Sequence, residues 1–267
     1  MNDQPIVPPV GKLVKLADYD PRETHGLSKG EAAGQIDGLR LRLNELQDVL
    51  YADKRFAVLV VLQAIDTGGK DGTIKSVFRE VGPLGCSVEN YGVPSEEELA
   101  HDYLWRYHLK APERGKLVIF NRSYYESVLV ERVKKIAPKQ VWERRYAEIN
   151  AFEAYLAAQS TVIVKFYLHI SKDEQRQRLQ QRIDDPSKRW KYRAGDLTER
   201  LRWDVYQAAF ADMVSNCNTE VAPWHVVPAD HKWYRDIVVA KALIDELEKL
   251  NLRYPEPEAG VAGTRVE

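Results

Sequence analysis

The sequence predicts an α/β fold in which a mostly parallel sheet is covered by helices on both faces. Apolar runs rich in Val and Ile, typical of strands buried on both faces, alternate with segments of helical periodicity. The 267 residues contain no internal repeat and no linker-like composition between these segments. We therefore expect one domain over residues 28–253, an extended N-terminal segment over 1–27 and a C-terminal tail over 254–267.

The first half of this domain is expected to contain three strands. Ser28 followed by Glu31, and Ser95 followed by Glu98, have the spacing of capping boxes. They predict helices over residues 28–51 and 95–108, the first supported by leucines at close to helical spacing. Strands are expected over residues 57–64, 86–91 and 116–121.

The second half continues the alternation. Ser171 followed by Glu174 is a third capping box and begins a helix. The other helices are expected over residues 124–134, 138–158 and 233–250, and the strands over 161–168 and 224–227. Because strands and helices alternate, right-handed crossovers are expected to bring the strands together in parallel.

Composition excludes some classes of protein. The chain has 39 Lys and Arg against 40 Asp and Glu, so a uniformly basic nucleic-acid coat is excluded, although a local basic channel is not. Cys86 and Cys217 do not form a disulfide framework or a metal-binding pattern. The longest apolar run is far shorter than the roughly 20 residues that span a bilayer, and the N-terminus lacks a signal-peptide pattern. We expect a cytoplasmic protein that is not associated with membranes.

The first candidate site is the loop after the first strand, residues 64–73, with the sequence AIDTGGKDGT. A glycine-rich loop between a buried strand and a helix lets main-chain N–H groups approach phosphate oxygens, and a lysine adds a cation. The spacing fits the Walker A pattern, except that Ala64 replaces its leading glycine and Asp71 replaces its Ser or Thr. An ordinary strand-to-helix turn is the alternative. The predicted phosphate-binding residues are Gly68, Gly69, Lys70, Asp71, Gly72 and Thr73.

Two acidic residues of this loop are candidates for different roles. Since Asp71 stands where a hydroxyl would bind magnesium, a carboxylate must supply the metal ligand, and Asp66 is the best candidate. The alternatives are a turn in which Asp66 bonds its own backbone, and a helix N-terminus at which Asp71 faces the dipole.

The second candidate site follows the strand over residues 116–121. In parallel sheets, ligands lie at the carboxyl ends of the strands, so Asn121, Arg122 and Ser123 are expected to face the same crevice as Lys70. Arg122 is suited to bind phosphate oxygens in a fork, and Glu126 lies about one turn further on. A surface ion pair is the alternative for each of these two charged residues.

The third candidate is the basic segment, residues 182–198, in which cations alternate with Trp190 and Tyr192. Such a segment between helices suits a lid that closes over phosphates and excludes water. A nucleic-acid patch and a solvated loop are the alternatives. Its basic residues are Arg182, Lys188, Arg189, Lys191 and Arg193.

In this order the three features resemble the polyphosphate kinase 2 family. The resemblance is carried by residues 62–73, 92–94, 102–106, 119–123 with Tyr125 and Glu126, and 188–191 (KRWK). It extends over residues 39–250 and implies a three-layer P-loop kinase fold similar to thymidylate kinase, with a basic lid. It also implies magnesium-dependent phosphoryl transfer, with manganese as the alternative ion, between inorganic polyphosphate and a nucleotide. Asn121, where some members have Asp, resembles the class III subgroup, which phosphorylates both AMP and ADP.

The resemblance also implies a distribution of roles. Asp66 would anchor the metal with Glu126 as a helper, while Lys70, Arg122 and the basic segment hold phosphates during an in-line transfer. Residues 93–106 would face AMP, ADP or ATP, with Val93, Pro94, Arg106 and Asn121 as contacts. A homo-oligomer, either a dimer or a tetramer, is expected to form through aromatic residues of 141–155. Neither a specific nucleic acid nor a membrane is expected as a partner. An ATP-dependent nucleoside monophosphate kinase is the nearest alternative, and a non-catalytic polyanion-binding module is a remote one.

Overall fold

Five parallel strands form one sheet in a computed structural model that describes residues 7–193, 195–261 and 264–266. Residues 1–6, 194, 262, 263 and 267, which belong to the predicted terminal and basic segments, lie outside the described residues. The strands are β1 (Ala57–Gln63), β2 (Cys86–Asn90), β3 (Leu117–Asn121), β4 (Thr161–His169) and β5 (Trp224–Pro228). Their order across the sheet is β2, β3, β1, β4, β5, which places β1 at the centre.

The described residues contain ten α-helices. They are α1 (Lys29–Asp53), α2 (Lys70–Val77), α3 (Glu96–Ala100), α4 (Trp105–His108), α5 (Val130–Val133), α6 (Lys139–Ala158), α7 (Lys172–Asp184), α8 (Gly195–Leu201), α9 (Trp203–Asn216) and α10 (Lys232–Glu248). Short 3₁₀ turns occupy Leu16–Asp18, Tyr124–Ser127 and Arg189–Lys191.

Helices cover both faces of the sheet, as the sequence predicts. Lys165 and Tyr167 of β4 contact α6 and α9, through Glu153 and Phe210 respectively. Successive side chains of a strand point to opposite faces of the sheet, so Phe166, between Lys165 and Tyr167, points to the other face. On that face α10 packs against β4, β5 and α1. All seven residues of β1 are buried, which explains why its first six residues, 57–62, are all apolar.

Helix starts were predicted more accurately than helix lengths. Both capping boxes at Ser28 and Ser95 are present, and the Ser171 side chain accepts from the main-chain N–H of Glu174. The single helix predicted over residues 95–108 is wrong: α3 ends at Ala100, and the Asp102 carboxylate accepts from the main chain of the residues that begin α4.

Two further stretches differ from the prediction. The helix predicted over residues 124–134 is instead a 3₁₀ turn followed by the one-turn α5. Helices α8 and α9 were not predicted. Helix α9 does carry a signal, since its buried residues recur at helical spacing: Trp203, Tyr206, Phe210 and Met213.

The N-terminal segment is tied to the folded domain from Pro8 onward. Its main-chain oxygen at Pro8 accepts from Asn218 at 2.6 Å, and the N–H of Val14 donates to Ser215 Oγ at 2.8 Å. Val14 and Leu16 are buried in the core, so this part of the N-terminal segment packs against the domain. Among the described residues, no helix is long and apolar enough to cross a membrane.

Candidate active site

The glycine-rich loop, residues 64–73, connects β1 to α2 and has the tight backbone that its sequence implies. The N–H of Gly68 donates to the main-chain oxygen of Ile65 at 2.9 Å. A Cβ on Gly68 would lie 2.8 Å from that oxygen and collide with the Ala64 side chain. Gly69 has a φ of +105°, and a Cβ there would collide with the Arg235 guanidinium. Both glycines are therefore required by the fold of the loop.

Lys70 is the first residue of α2, and its side chain is buried against the loop. Its Nζ donates to the main-chain oxygen of Ala64 at 3.0 Å. Burial, and next the positive charge of Arg122, lower the pKa of Lys70 to about 8, against opposing effects of Glu126, Asp66 and Asp71. Lys70 is thus a desolvated cation, and an incoming phosphate would compensate the lost hydration.

The carboxyl end of β3 brings Arg122 and Glu126 to the same place. The N–H of Arg122 donates to the Leu62 oxygen of β1 at 3.2 Å, and Arg122 has a φ of +66°, an uncommon conformation for a residue with a side chain. Its guanidinium lies 4.0 Å from the Glu126 carboxylate, which accepts from Gln63 Nε2 at 3.0 Å. Gln63 is fully buried and was not predicted as a site residue.

The turn between Arg122 and Glu126 is anchored by a buried network of hydrogen bonds and one ion pair. Tyr124 and Tyr125 each donate a hydroxyl hydrogen bond to Glu153 Oε1, at 2.8 and 2.7 Å. Glu153 also pairs with Lys165 at 2.6 Å, and both side chains are fully buried. Because each buried charge has its partners, the network rigidifies the backbone that carries the two site residues.

Asn121 connects β3 to the loop. Its Nδ2 donates to Asp71 Oδ1 at 2.9 Å and to Asn90 Oδ1 at 2.8 Å. Its Oδ1 is buried and has no hydrogen-bond partner among the described residues. Asn121 therefore positions the Asp71 carboxylate, while one acceptor atom remains for a ligand or a water molecule.

The basic segment contributes two of its cations to the loop. Arg182 Nη1 lies 3.4 Å from Asp66 Oδ2, and Lys191 Nζ lies 3.9 Å from Asp71 Oδ2. The other predicted cations have contacts within the segment: Lys188 pairs with Asp185, Arg189 donates to the Ile183 oxygen, and the main-chain N–H of Arg193 donates to Asp196.

Arg106, predicted to contact the nucleotide, lies in a different setting. Its buried guanidinium donates to Glu98 Oε2 at 2.9 Å and to the Gly92 oxygen at 3.1 Å, and it lies over the ring of Tyr91 at 5.0 Å. These contacts brace the loop that carries Val93 and Pro94. Val93 is 95% exposed, so this loop presents an apolar surface to the solvent.

Three buried donors that the sequence did not single out contact the main chain of the loop. They donate to the carbonyl oxygens of Asp66, Thr67 and Gly69. One spacing signal was present, because the two donors on α7 lie three residues apart and Arg182 follows four residues later on the same face. The donors are Gln175, Arg178 and Arg235.

The carboxylates at the loop suit an open site for a hard divalent cation rather than a site in which protein side chains supply all the ligands. The described residues include no group of three or more His, Cys, Asp or Glu side chains arranged to bind a metal. The Asp66 side chain is 41% exposed beside the glycine-rich loop. One or two carboxylates next to substrate phosphates are the usual protein contribution to a magnesium site, and the chemistry and exposure of Asp66 fit such a contribution.

Comparisons with known proteins indicate which family the chain is similar to. The family model described as polyphosphate kinase 2 matches residues 26–255. The chain is 52% identical over 254 residues to an AMP/ADP-polyphosphate phosphotransferase of Meiothermus ruber, covering 94% of this chain and 95% of that protein. It is 45% identical to an ADP-polyphosphate phosphotransferase of Rhodopseudomonas palustris, covering 80% and 78%. A crystal structure of polyphosphate kinase 2 from Arthrobacter aurescens superimposes with a TM-score of 0.91 at 44% identity, covering 95% and 92%.

Proposed function

Because the chain belongs to the polyphosphate kinase 2 family, we propose that it transfers the terminal phosphoryl group of inorganic polyphosphate to AMP and to ADP. The observation that carries the proposal is the desolvated ammonium of Lys70, placed in the glycine-rich loop beside Arg122. A buried cation at such a loop is suited to a polyanionic donor. The printed names of the relatives supply the two acceptors.

The chain's own groups account for the transfer by positioning and charge. The loop amides and Lys70 hold the phosphoryl group, and Arg122 neutralises charge that develops on its oxygens. Magnesium held by Asp66 would supply further charge neutralisation when bound, with manganese as the alternative ion. The acceptor phosphate attacks in line, so no covalent enzyme intermediate is needed.

The basic segment acts as a lid in this proposal. Its contacts to Asp66 and Asp71 are long or exposed, so Arg182 and Lys191 are free to exchange these carboxylates for phosphates. Closure then adds positive charge and excludes water from the transferring group. The nucleotide would lie on the opposite side, against Val93, Pro94 and Asn121, with Arg106 holding that loop in place.

A direct assay tests the proposal. Purified protein is given AMP, polyphosphate and magnesium without ATP, and the formation of ADP and then ATP is followed. We expect both products, a loss of turnover on chelation of the metal, and a loss of about 10²-fold or more in Lys70→Met. Lys75→Met, which changes an exposed lysine of the same helix, is the matched control and should retain turnover.

Three outcomes would contradict the assignment. If ADP forms from AMP only when ATP is the donor, the chain is a nucleoside monophosphate kinase. If Lys70→Met stays within about tenfold of the wild type, a difference of about 1.4 kcal/mol, the loop is not the phosphate site. Nucleic-acid binding that survives Lys70→Met and needs no magnesium would instead indicate a polyanion-binding module.

We also propose a cytoplasmic homo-oligomer. The exposed Tyr155 of α6 supports a subunit contact on this helix, whereas Trp142 packs beneath the Arg132 guanidinium at 4.3 Å and contributes less. Sedimentation at micromolar concentration tests the oligomer, and a monomer alone would contradict it.

A further inference from the structure

The glycine-rich loop is held from behind by side chains that its own sequence does not contain. Gln175 Nε2 donates to the Asp66 oxygen at 3.2 Å, and Arg178 Nη1 donates to the Thr67 oxygen at 3.1 Å. From α10, Arg235 Nη1 donates to the Gly69 oxygen at 3.3 Å. Three carbonyls of one short loop are thus bound by two helices that follow much later in the chain.

The two arginines are not available to bind substrate directly. Arg178 also donates to Glu174 at 2.6 Å and to the Ala229 oxygen at 2.6 Å, and the side chain is 6% exposed. Arg235 donates through two nitrogens to Asp236, at 2.8 and 2.6 Å, and is 3% exposed. Buried guanidinium groups are costly unless paired, so these partners explain how the fold accommodates them.

The carbonyl contacts determine the direction of the loop amides. In a trans peptide the C=O of one residue and the N–H of the next point to opposite sides. When the oxygens of Asp66 and Gly69 are directed towards Gln175 and Arg235, the N–H groups of Thr67 and Lys70 are directed away from those side chains. The bond from Arg178 to the Thr67 oxygen holds the next peptide, whose Gly68 N–H closes the turn of the loop on the Ile65 oxygen at 2.9 Å. Thr67 itself has a φ of +64°, a conformation that persists only when the surroundings impose it.

We propose that Arg178 and Arg235 are positioning residues for phosphoryl transfer, which hold the loop in its phosphate-binding conformation through the carbonyl oxygens of Thr67 and Gly69. The effect on phosphate passes through the main chain, and neither guanidinium contacts the substrate. Helix α7 continues into the basic segment, where Arg182 contacts the side chain of Asp66. The same helix therefore contacts the loop and carries the start of the basic segment that we propose as the lid.

Methionine replacements of the two arginines test the proposal, with Arg40→Met as the matched control. Arg40 is equally buried, pairs with Asp37 at 2.7 Å and donates to the Ser76 oxygen at 2.7 Å, but at the far end of α2. We expect Arg178→Met and Arg235→Met to remain folded and to lower kcat/KM for polyphosphate at least tenfold. We expect Arg40→Met to be less stable than the wild type but to keep its activity within threefold.

Two readouts separate positioning from a general loss of structure. Amide hydrogen exchange in residues 64–73 should become faster in Arg178→Met and Arg235→Met and remain unchanged in Arg40→Met. In the same two variants, relaxation of the loop hydrates Lys70, so the alkaline limb of kcat/KM should move from about pH 8 to a higher pH. Unchanged exchange and an unmoved limb would overturn the proposal, as would equal activity losses in all three variants.

Gln175→Leu serves if an arginine variant does not fold, because it removes a neutral donor to the Asp66 oxygen and an acceptor for Arg200 but no buried charge. Faster exchange of the loop is again expected, and unchanged exchange would count against the proposal. The proposal rests on the proposed function, but the exchange measurement needs no turnover. A wild type without polyphosphate-dependent transfer would therefore refute the function alone, whereas unaltered loop exchange in the variants would refute the positioning role alone.

Discussion

Lys70→Met is expected to make the protein more stable at neutral pH while removing its activity. In the folded protein the Lys70 ammonium is buried, and its lowered pKa means that the charged form is penalised relative to the unfolded chain. Methionine has a similar length and no charge, so it removes this penalty. It also removes the cation on which the proposed phosphate site depends.

The size of the effect follows from the pKa. A shift from 10.5 to about 8 corresponds to a penalty of about 3 kcal/mol for the charged form. The variant also loses the hydrogen bond from Nζ to the Ala64 oxygen, which costs about 1 kcal/mol. The net gain in the free energy of unfolding at pH 7 is therefore about 2 kcal/mol.

The gain must depend on pH with a defined sign. Below about pH 8, Lys70 is protonated in both states of the wild type, so the full penalty applies. Between about pH 8 and 10.5 the unfolded chain binds the proton and the folded protein does not, so wild-type stability rises with pH. The advantage of Lys70→Met should consequently shrink over this interval and vanish near its upper end.

Urea denaturation of wild type and variant at pH 7 and pH 9.5, followed by tryptophan fluorescence without ligand, measures this difference. Lys75→Met should show neither the gain nor the pH dependence, because Lys75 is exposed. A variant less stable than the wild type at pH 7, or an advantage that is the same at both pH values, would show that Lys70 is not desolvated as the structure indicates.

Two further predictions concern the loop and its foundation. Gly68→Ala should displace the loop and lower kcat/KM for polyphosphate at least tenfold. Gly72→Ala should stay close to wild type, because its Cβ would lie at an ordinary 3.5 Å from its nearest neighbour. Similar kinetics for both variants would contradict the steric argument. Glu153→Gln leaves Lys165 buried with a weakened partner and should destabilise the protein by about 3–5 kcal/mol. A melting temperature within about 2 °C of wild type would contradict this loss of stability.

The position of the candidate site could be predicted because it depends on local signals. Buried strands are recognisable as apolar runs, and the carboxyl ends of neighbouring parallel strands meet at one edge of the sheet. This reasoning placed Lys70 beside Arg122 and Glu126, which are far apart in the sequence, and the structure brings them together.

The contacts that hold the site could not be predicted in the same way. Arg178 and Arg235 reach the loop across more than one hundred residues. The spacing on α7 shows which of its residues share a face, but no spacing in a single sequence shows which segment that face contacts. Arg106 illustrates the reverse case. Its residue type and position suggest a phosphate contact, which stays a prediction, but only the tertiary structure shows that its two terminal nitrogens donate to Glu98 and to the Gly92 oxygen.

The near-zero net charge is consistent with a polyanionic donor because two kinds of ion pair coexist around the loop. The pairs that face the proposed donor path are long and partly exposed: Arg182 with Asp66 at 3.4 Å, Lys191 with Asp71 at 3.9 Å and Arg122 with Glu126 at 4.0 Å. The pairs behind the loop are short and buried, at 2.6 Å for both Arg178 and Arg235. Long exposed pairs contribute at most about 1 kcal/mol, so a phosphate displaces the carboxylates at little cost, whereas the buried pairs persist. The length of each pair therefore separates the cations that we propose bind substrate from those that we propose hold the loop.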